Sequence, residues 1–303
     1  MAPGDVFSVE SAPDVYYVDT GMYGTAEYGA VYIVDAARPA LVDTGIGTHR
    51  DRVLAAIESV GLAVEDIEVI APSHVHLDHA GGVGFLAEAA PDATVHVHEL
   101  GAPHLVDPER LVEGTKRAVR DQWEFYVQPR PVPEDQVEPF AGGDRIDLGD
   151  RQLVVHHAPG HAPHQVVFEE PSAGWVHVAD AAGIWVPRRG AVRETTPPPN
   201  FDFEQALADV ETVRDLDPET LLYPHFGPVT EVDAVLDEYR ETLTGWVEAV
   251  EGRLEEVGDE ETVIEHFVAE NDMEAIWGER KARGETGMNV RGVLQYLQGS
   301  GGR

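Results

Sequence analysis

Hydrophobic segments alternate with polar ones along nearly the whole chain. Residues 15–18 (Val-Tyr-Tyr-Val), 30–34 (Ala-Val-Tyr-Ile-Val) and 40–42 (Ala-Leu-Val) read as short strands separated by Gly, Asp and Pro. Between residues 48 and 60, Val53, Leu54, Ile57 and Val60 recur at helical spacing, and Gly61 stops the run. A strand follows at 67–71, then a polar turn and a helix near 81–90. Further strands are expected at 94–98, 152–157, 165–169 and 175–179. This order predicts sheets flanked by helices, an α/β (α+β) chain.

Residues 104–140 are less regular: one helix is expected across 108–127, then a Pro-rich stretch, together a mobile or capping segment. After Asp202 a helix is predicted at 203–216 and a last strand at 220–223. From Glu231 the pattern is helical only. Tyr239, Leu243, Trp246, Val247, Val250, Leu254 and Val257 form one apolar face. Shorter helical patterns follow near 260–270 and 287–298, so residues 1–230 read as a catalytic core and 231–303 as a helical extension. No repeat of 20–50 residues is present.

Composition narrows the class. Of 303 residues 43% are apolar, enough for one large core or a core with a small second domain, and too many for disorder. No apolar run approaches the roughly 20 residues needed to span a bilayer. The start, MAPGDVFSVE, has neither basic flank nor apolar stretch, so no export signal and a cytoplasmic location are expected. With no cysteine there is no disulfide framework, thiolate metal site or cysteine nucleophile. Nitrogen and oxygen chemistry remains.

The formal charge is −35, from 21 basic and 56 acidic side chains, and Lys116 and Lys281 are the only lysines. A carboxylate-rich, lysine-poor surface suits a cytoplasm at molar salt, where the Debye length falls to roughly 3 Å and self-repulsion is screened. The composition therefore reads as halophilic. It argues against general affinity for nucleic acid, which needs basic stripes. A homo-oligomer is left open.

Candidate chemistry lies at 72–82, Pro-Ser-His-Val-His-Leu-Asp-His-Ala-Gly-Gly, directly after a buried strand and before a helix. His74 and His76 are two residues apart, so in extended backbone both point to one side and could clasp one metal. Asp78 and His79, further round the turn, could face a second. Gly81 and Gly82 let the backbone pass close to the site. His161, Asp180 and His225 each follow a strand and sit beside turn residues, giving five imidazoles and two carboxylates for two divalent ions. Such ligation suits zinc, with iron or manganese as alternatives.

This pattern resembles the metallo-β-lactamase superfamily, and within it hydrolases with two metals such as hydroxyacylglutathione hydrolases and lactonases. The resemblance covers roughly residues 15–230 through five separated motifs in order. It implies a four-layer αββα sandwich with metals at one edge. It also implies that His74, His76 and His161 hold one metal, Asp78, His79 and His225 the other, and Asp180 bridges them. The stretch Gly-His-Ala-Pro-His-Gln at 160–165 departs from the Gly-His-Thr-Pro-Gly-His usual in hydroxyacylglutathione hydrolases. Pro-His-Phe-Gly-Pro at 224–228 has its histidine one place earlier than the Pro-Gly-His-Gly-Pro of many relatives. Neither change removes a ligand. The helical tail loosely resembles those of superfamily members that include ribonucleases.

The ligand set implies a hydrolase in which a metal-bridging hydroxide attacks the carbonyl of a small ester, thioester or lactone. Asp78 is expected to orient that nucleophile and shuttle its proton. Three other readings stay open: a phosphodiesterase or nuclease with two metals, a persulfide dioxygenase with one iron, and a non-catalytic binding protein. His96 and His98 read as packing residues. One of His156 and His157 is a candidate to hold a ligand by hydrogen bond. His164 is a candidate pocket residue, and Tyr23 and Tyr28 either pack in their loop or polarise a substrate carbonyl. Trp246 and Val250 read as core.

Overall fold

The computed structural model describes residues 1–300. Strands Val6–Val9, Ala12–Asp19, Ala30–Val34, Ala40–Val42, Val69–Ala71, Thr94–His98 and Val137–Phe140 form a seven-stranded sheet in sequential order. Its first four strands are antiparallel; from Ala40–Val42 onward the pairing is parallel. A six-stranded sheet runs in the order Gly227–Val229, Thr220–Tyr223, Trp175–His177, Val166–Glu170, Gln152–His157, Arg145–Asp147. Ile184–Val186 and Ala191–Arg193 pair separately.

The period of two along each strand produces the layers. In Ala30–Val34 the side chains of Ala30, Tyr32 and Val34 enter the core between the two large sheets, while Val31 and Ile33 face a helical layer. Leu41 and Ile70 follow Val31, whereas Val42 and Ala71 follow Tyr32. In the second sheet Phe168 and Leu222 enter the same intersheet core, and Val167 and Leu221 face the helices on the other side. Three apolar layers thus separate four structural ones, the αββα sandwich. A one-residue slip would turn every buried side chain to the wrong layer, which fixes the register.

Helix Arg50–Ser59 and helix Val83–Ala89 cover the first sheet with Val53, Ile57, Val83 and Leu86. Helix Phe203–Asp215, capped by Asp202 through Gln205 N, covers the second with Val210 and Val213. The region after residue 231 is helical: Val232–Val257, Glu260–Ala269, Glu274–Trp277 and Glu279–Ser300. Leu236, Tyr239, Leu243 and Val250 share one apolar core with Val176 and Leu221, and Val290 and Leu294 enter it too. The helix Glu279–Ser300 docks so closely that a Cβ at Gly292 would collide with the Thr196 carbonyl. Among the described residues no helix is long and apolar enough to cross a membrane.

Three expectations change. The single helix at 108–127 is instead Glu109–Val119 followed by a 3-10 segment, Arg120–Phe125, because Arg120 adopts φ 52° and ψ −116°. The pattern at 287–298 belongs to a helix that already starts at Glu279; Gly284 and Gly287 thin its apolar stripe and hide the earlier turns. Short strands at Val6–Val9, Val137–Phe140 and Arg145–Asp147 were not foreseen, being brief and partly polar. The irregular segment before residue 140 packs Phe125 and Tyr126 against Tyr23, as a cap does.

Candidate metal centre

The parallel pairs within each sheet gather the site. Ala40–Val42 and Val69–Ala71 run parallel, so Asp43 and the 73–79 turn leave the first sheet at one edge. Trp175–His177 and Thr220–Tyr223 also run parallel, bringing Asp180 and His225 out at a shared edge of the second. His161 follows Gln152–His157. The 73–82 turn is tight: a Cβ at Gly81 would stand 2.7 Å from the Ile46 carbonyl oxygen, and one at Gly82 2.5 Å from that of Thr44. The sequence Gly-Gly therefore follows from close approach of the 44–46 loop.

All seven side chains singled out in the sequence meet here. They form three overlapping groups able to hold a metal ion: His74, His76 and His161; His74, His79 and Asp180; Asp78, His79 and His225. His76 Nδ1 lies 3.1 Å from His74 Nε2 and 3.0 Å from His161 Nε2. His79 Nε2 lies 3.1 Å from His225 Nε2, and Asp78 Oδ2 is 3.8 Å from the latter. Asp180 stands between the groups: Oδ2 is 3.2 Å from His161 Nε2, and Oδ1 is 3.5 Å from His79 and 3.7 Å from His225. His76 and Asp78 are half-buried and the other five are buried, so the centre opens on the His76–Asp78 side.

The electrostatics fit a bound cation. Burial, reinforced by neighbouring imidazoles, lowers His74 and brings His76 to about 3, so both rings are neutral and keep lone pairs for coordination. Burial would raise Asp180, but His79, His161 and His225 hold it well below the usual carboxylate range. His79 shows the converse: burial opposes its charge, yet Asp180 and Asp43 raise it well above an ordinary imidazole. Asp180 Oδ1 is buried and completes no hydrogen bond. Buried, unsatisfied oxygen and converging ring nitrogens are the donor set a divalent ion requires.

A surrounding layer orients these rings. Asp43 Oδ2 accepts from His79 Nδ1 at 2.8 Å, while Ser73 donates to Asp43 through its backbone N–H at 2.7 Å and its hydroxyl at 3.1 Å. The Tyr28 carbonyl accepts from His225 Nδ1 at 2.9 Å. These bonds fix a proton on Nδ1 of both rings and turn Nε2 toward the centre; on His79 a bound cation would replace the second proton that Asp180 and Asp43 favour there. His177, wholly buried 3.5 Å from Asp43 and lowered by burial to about 4, closes the layer from the second sheet. Sequence reasoning missed Asp43 and His177. For Asp43 the one signal is an aspartate directly after a buried strand, as for Asp180.

Other candidates separate clearly. Tyr23 donates from its hydroxyl to Asp78 Oδ2 at 3.3 Å and shares a 2.7 Å hydrogen bond with the Tyr126 hydroxyl. Tyr28 packs its ring on His225 and Trp277. His164 lies beside the rings of His74 and His76, at the wall of the site. His156 pairs with Glu169 and His157 donates to the Pro163 carbonyl, so neither holds a ligand directly. His98 stacks on His157, and Trp246 packs against the helical core.

Comparison with known proteins agrees with this architecture. A solved metallo-beta-lactamase superfamily protein from Sulfolobus tokodaii superposes with a TM-score of 0.69 at 18% identity, covering 93% of this chain and 98% of that one. An N-acyl homoserine lactonase of Bacillus sp is 23% identical over 71% of this chain and 80% of its own length. An acyl-coenzyme A thioesterase of Gallus gallus is 28% identical over 52% of this chain and 58% of its own. Across three curated relatives the chain spans 47%, 80% and 58% of their lengths, about half for two of them. Residues 24–225, more than half of the chain, match the metallo-beta-lactamase superfamily, and the chain belongs to that family.

Proposed function

We propose that this chain is a metal-dependent hydrolase of a small ester, thioester or lactone. The observation that carries the reading is Asp180, whose two oxygens are divided between two groups of imidazoles. His74, His76 and His161 would hold one ion, Asp78, His79 and His225 a second, and Asp180 both. Two divalent ions, zinc by donor set, would supply Lewis acidity toward a carbonyl oxygen and would make water available as a nucleophile near neutral pH.

The chain's own residues do the rest. Asp78 is the half-buried carboxylate of the set, and the Tyr23 hydroxyl holds one of its oxygens at 3.3 Å. Its other oxygen can accept a proton from an attacking water and return it to the leaving group. Beside it, Tyr23, Tyr28, Ile184, Val186 and Trp277 pack as a buried apolar cluster that backs this side of the centre. The distant likeness to a lactonase and a thioesterase supports the acyl class.

Metal analysis joined to a substrate panel in molar KCl tests this. Two zinc ions per chain, turnover of thioesters or lactones, and loss of both metal and turnover in Asp180→Ala are expected. Faster turnover of bis(4-nitrophenyl) phosphate, or one iron per chain with oxygen uptake on a persulfide, would overturn it.

A further inference from the structure

Away from the metal centre, a cleft of about 420 Å³ opens between helix Glu109–Val119, the 3-10 segment Arg120–Phe125 and helices Glu260–Ala269 and Glu279–Ser300. Arg120, Arg280, Arg283 and Arg291 line it, against two lining carboxylates, Asp121 and Glu279. In a chain of formal charge −35, such a concentration of guanidinium groups runs against the whole surface. None of these residues belongs to the metal centre.

Two of the four arginines have their charge met. Arg280 pairs with Asp121 at 3.4 Å and with Glu124, and Arg283 with Glu274 at 3.6 Å. Arg120 and Arg291 form no ion pair among the described residues. Burial and the like charge of Arg120 push the half-buried Arg291 down to about 10, with Glu261 too far away for an ion pair. Arg291 spends one donor on the Ala118 carbonyl at 3.2 Å, and its remaining N–H groups are available. Arg120 stands on a backbone of positive φ, 52° with ψ −116°, which disfavours any residue with a side chain. Arg120 and Arg291 line one cleft, neither of them in an ion pair with a carboxylate among the described residues, and an anion lying between them would be stabilised by both.

The floor narrows the ligand further. Val119, Ile264 and Val268 are apolar, and Gly287 leaves its helix face without a side chain beside Ile264 and Val268. Chloride or sulfate would leave this floor uncovered. We propose that the cleft is a binding site for an organic phosphate ester of small-molecule size, its phosphate held by Arg120 and Arg291 and its body lying on the apolar floor. This assignment is independent of the reaction proposed for the metal centre.

Isothermal titration with ADP as probe and adenosine as control, at constant KCl, tests the site. Arg120 and Arg283 are exposed, so the double variant R120Q/R283Q should keep its fold, metal content and hydrolytic activity. Saturable ADP binding by the unaltered chain, none by adenosine, and at least tenfold weaker ADP binding by the variant are expected. Equal ADP binding by the variant would place the nucleotide elsewhere and overturn the proposal. So would absence of saturation, or a dimer seen by light scattering that the variant loses while neither form binds ADP.

Discussion

Replacing Asp43 by asparagine removes a charge beside the metal centre while keeping the outline of the side chain. Oδ1 still accepts from the Ser73 N–H, a bond of 2.7 Å. The new amide group takes the position of Oδ2, which accepts from His79 Nδ1 at 2.8 Å and from the Ser73 hydroxyl. Two donors then face each other. The relief is for His79 to carry its proton on Nε2 and accept from the amide through Nδ1. Nε2 is the atom that lies 3.1 Å from His225 Nε2, so its lone pair is withdrawn from the metal-facing side. Loss of a carboxylate that orients a ligand histidine typically costs 10–100-fold in metal affinity, about 1.4–2.8 kcal/mol.

The loss should fall on the group of Asp78, His79 and His225, while His74, His76 and His161 keep theirs. Metal content measured across a chelator titration should show one ion leaving 10–100-fold more readily and the other unchanged. Asp43→Ala should behave differently, since it strands the Ser73 N–H and His79 Nδ1–H, at about 1–3 kcal/mol each in folding stability. An asparagine variant that holds both ions with unaltered chelator resistance would refute the claim that Asp43 sets the tautomer of His79.

Two further substitutions probe the surroundings. Lys281 and Glu285 form a 2.5 Å pair, both nearly buried, with the ammonium over the Tyr23 ring. Lys281→Met strands Glu285 and should cost about 3–5 kcal/mol in denaturant unfolding, most of it recovered in K281M/E285L; equal midpoints for the single variant and the unaltered chain would contradict this. Asp209, which accepts from Gly160 N at 2.6 Å and from Gln205, is raised by burial from 3.8 to about 6. The folded state therefore holds this proton more tightly, and the stability it contributes is full below pH 3.8 and lost as pH rises through 6. Asp209→Asn should gain about 3 kcal/mol relative to the unaltered chain between pH 4 and 7. A stability difference that stays flat across that range would show that Asp209 titrates as an ordinary carboxylate.

What could be read from the chain follows from how local each signal is. The alternation in Ala30–Val34 and the stripe through Tyr239, Leu243 and Val250 are set by near neighbours, and the structure has both. The seven centre residues were legible because their chemical types are unusual together and each stands at the end of a strand. Asp43 shares the strand-end position but stands in no cluster of metal-ligating types: it matters because Ala40–Val42 pairs in parallel with Val69–Ala71, which sets residue 43 beside Ser73 and His79. No periodicity within either segment encodes that pairing. The break at Arg120 was hidden for the opposite reason, since a helical pattern persists through it while the backbone does not. Lys281 was visible as a rare lysine, but its place over Tyr23, and through Tyr23 its link to Asp78, depends on the C-terminal helix folding back across more than 250 residues. The chemistry of the centre is thus written locally, in residue types at strand ends. The tuning of that chemistry is written in pairings between segments far apart in the chain. Substitutions at Asp43 and Lys281 should therefore alter the centre without replacing any of its seven residues, a class of effect that those seven alone would not reveal.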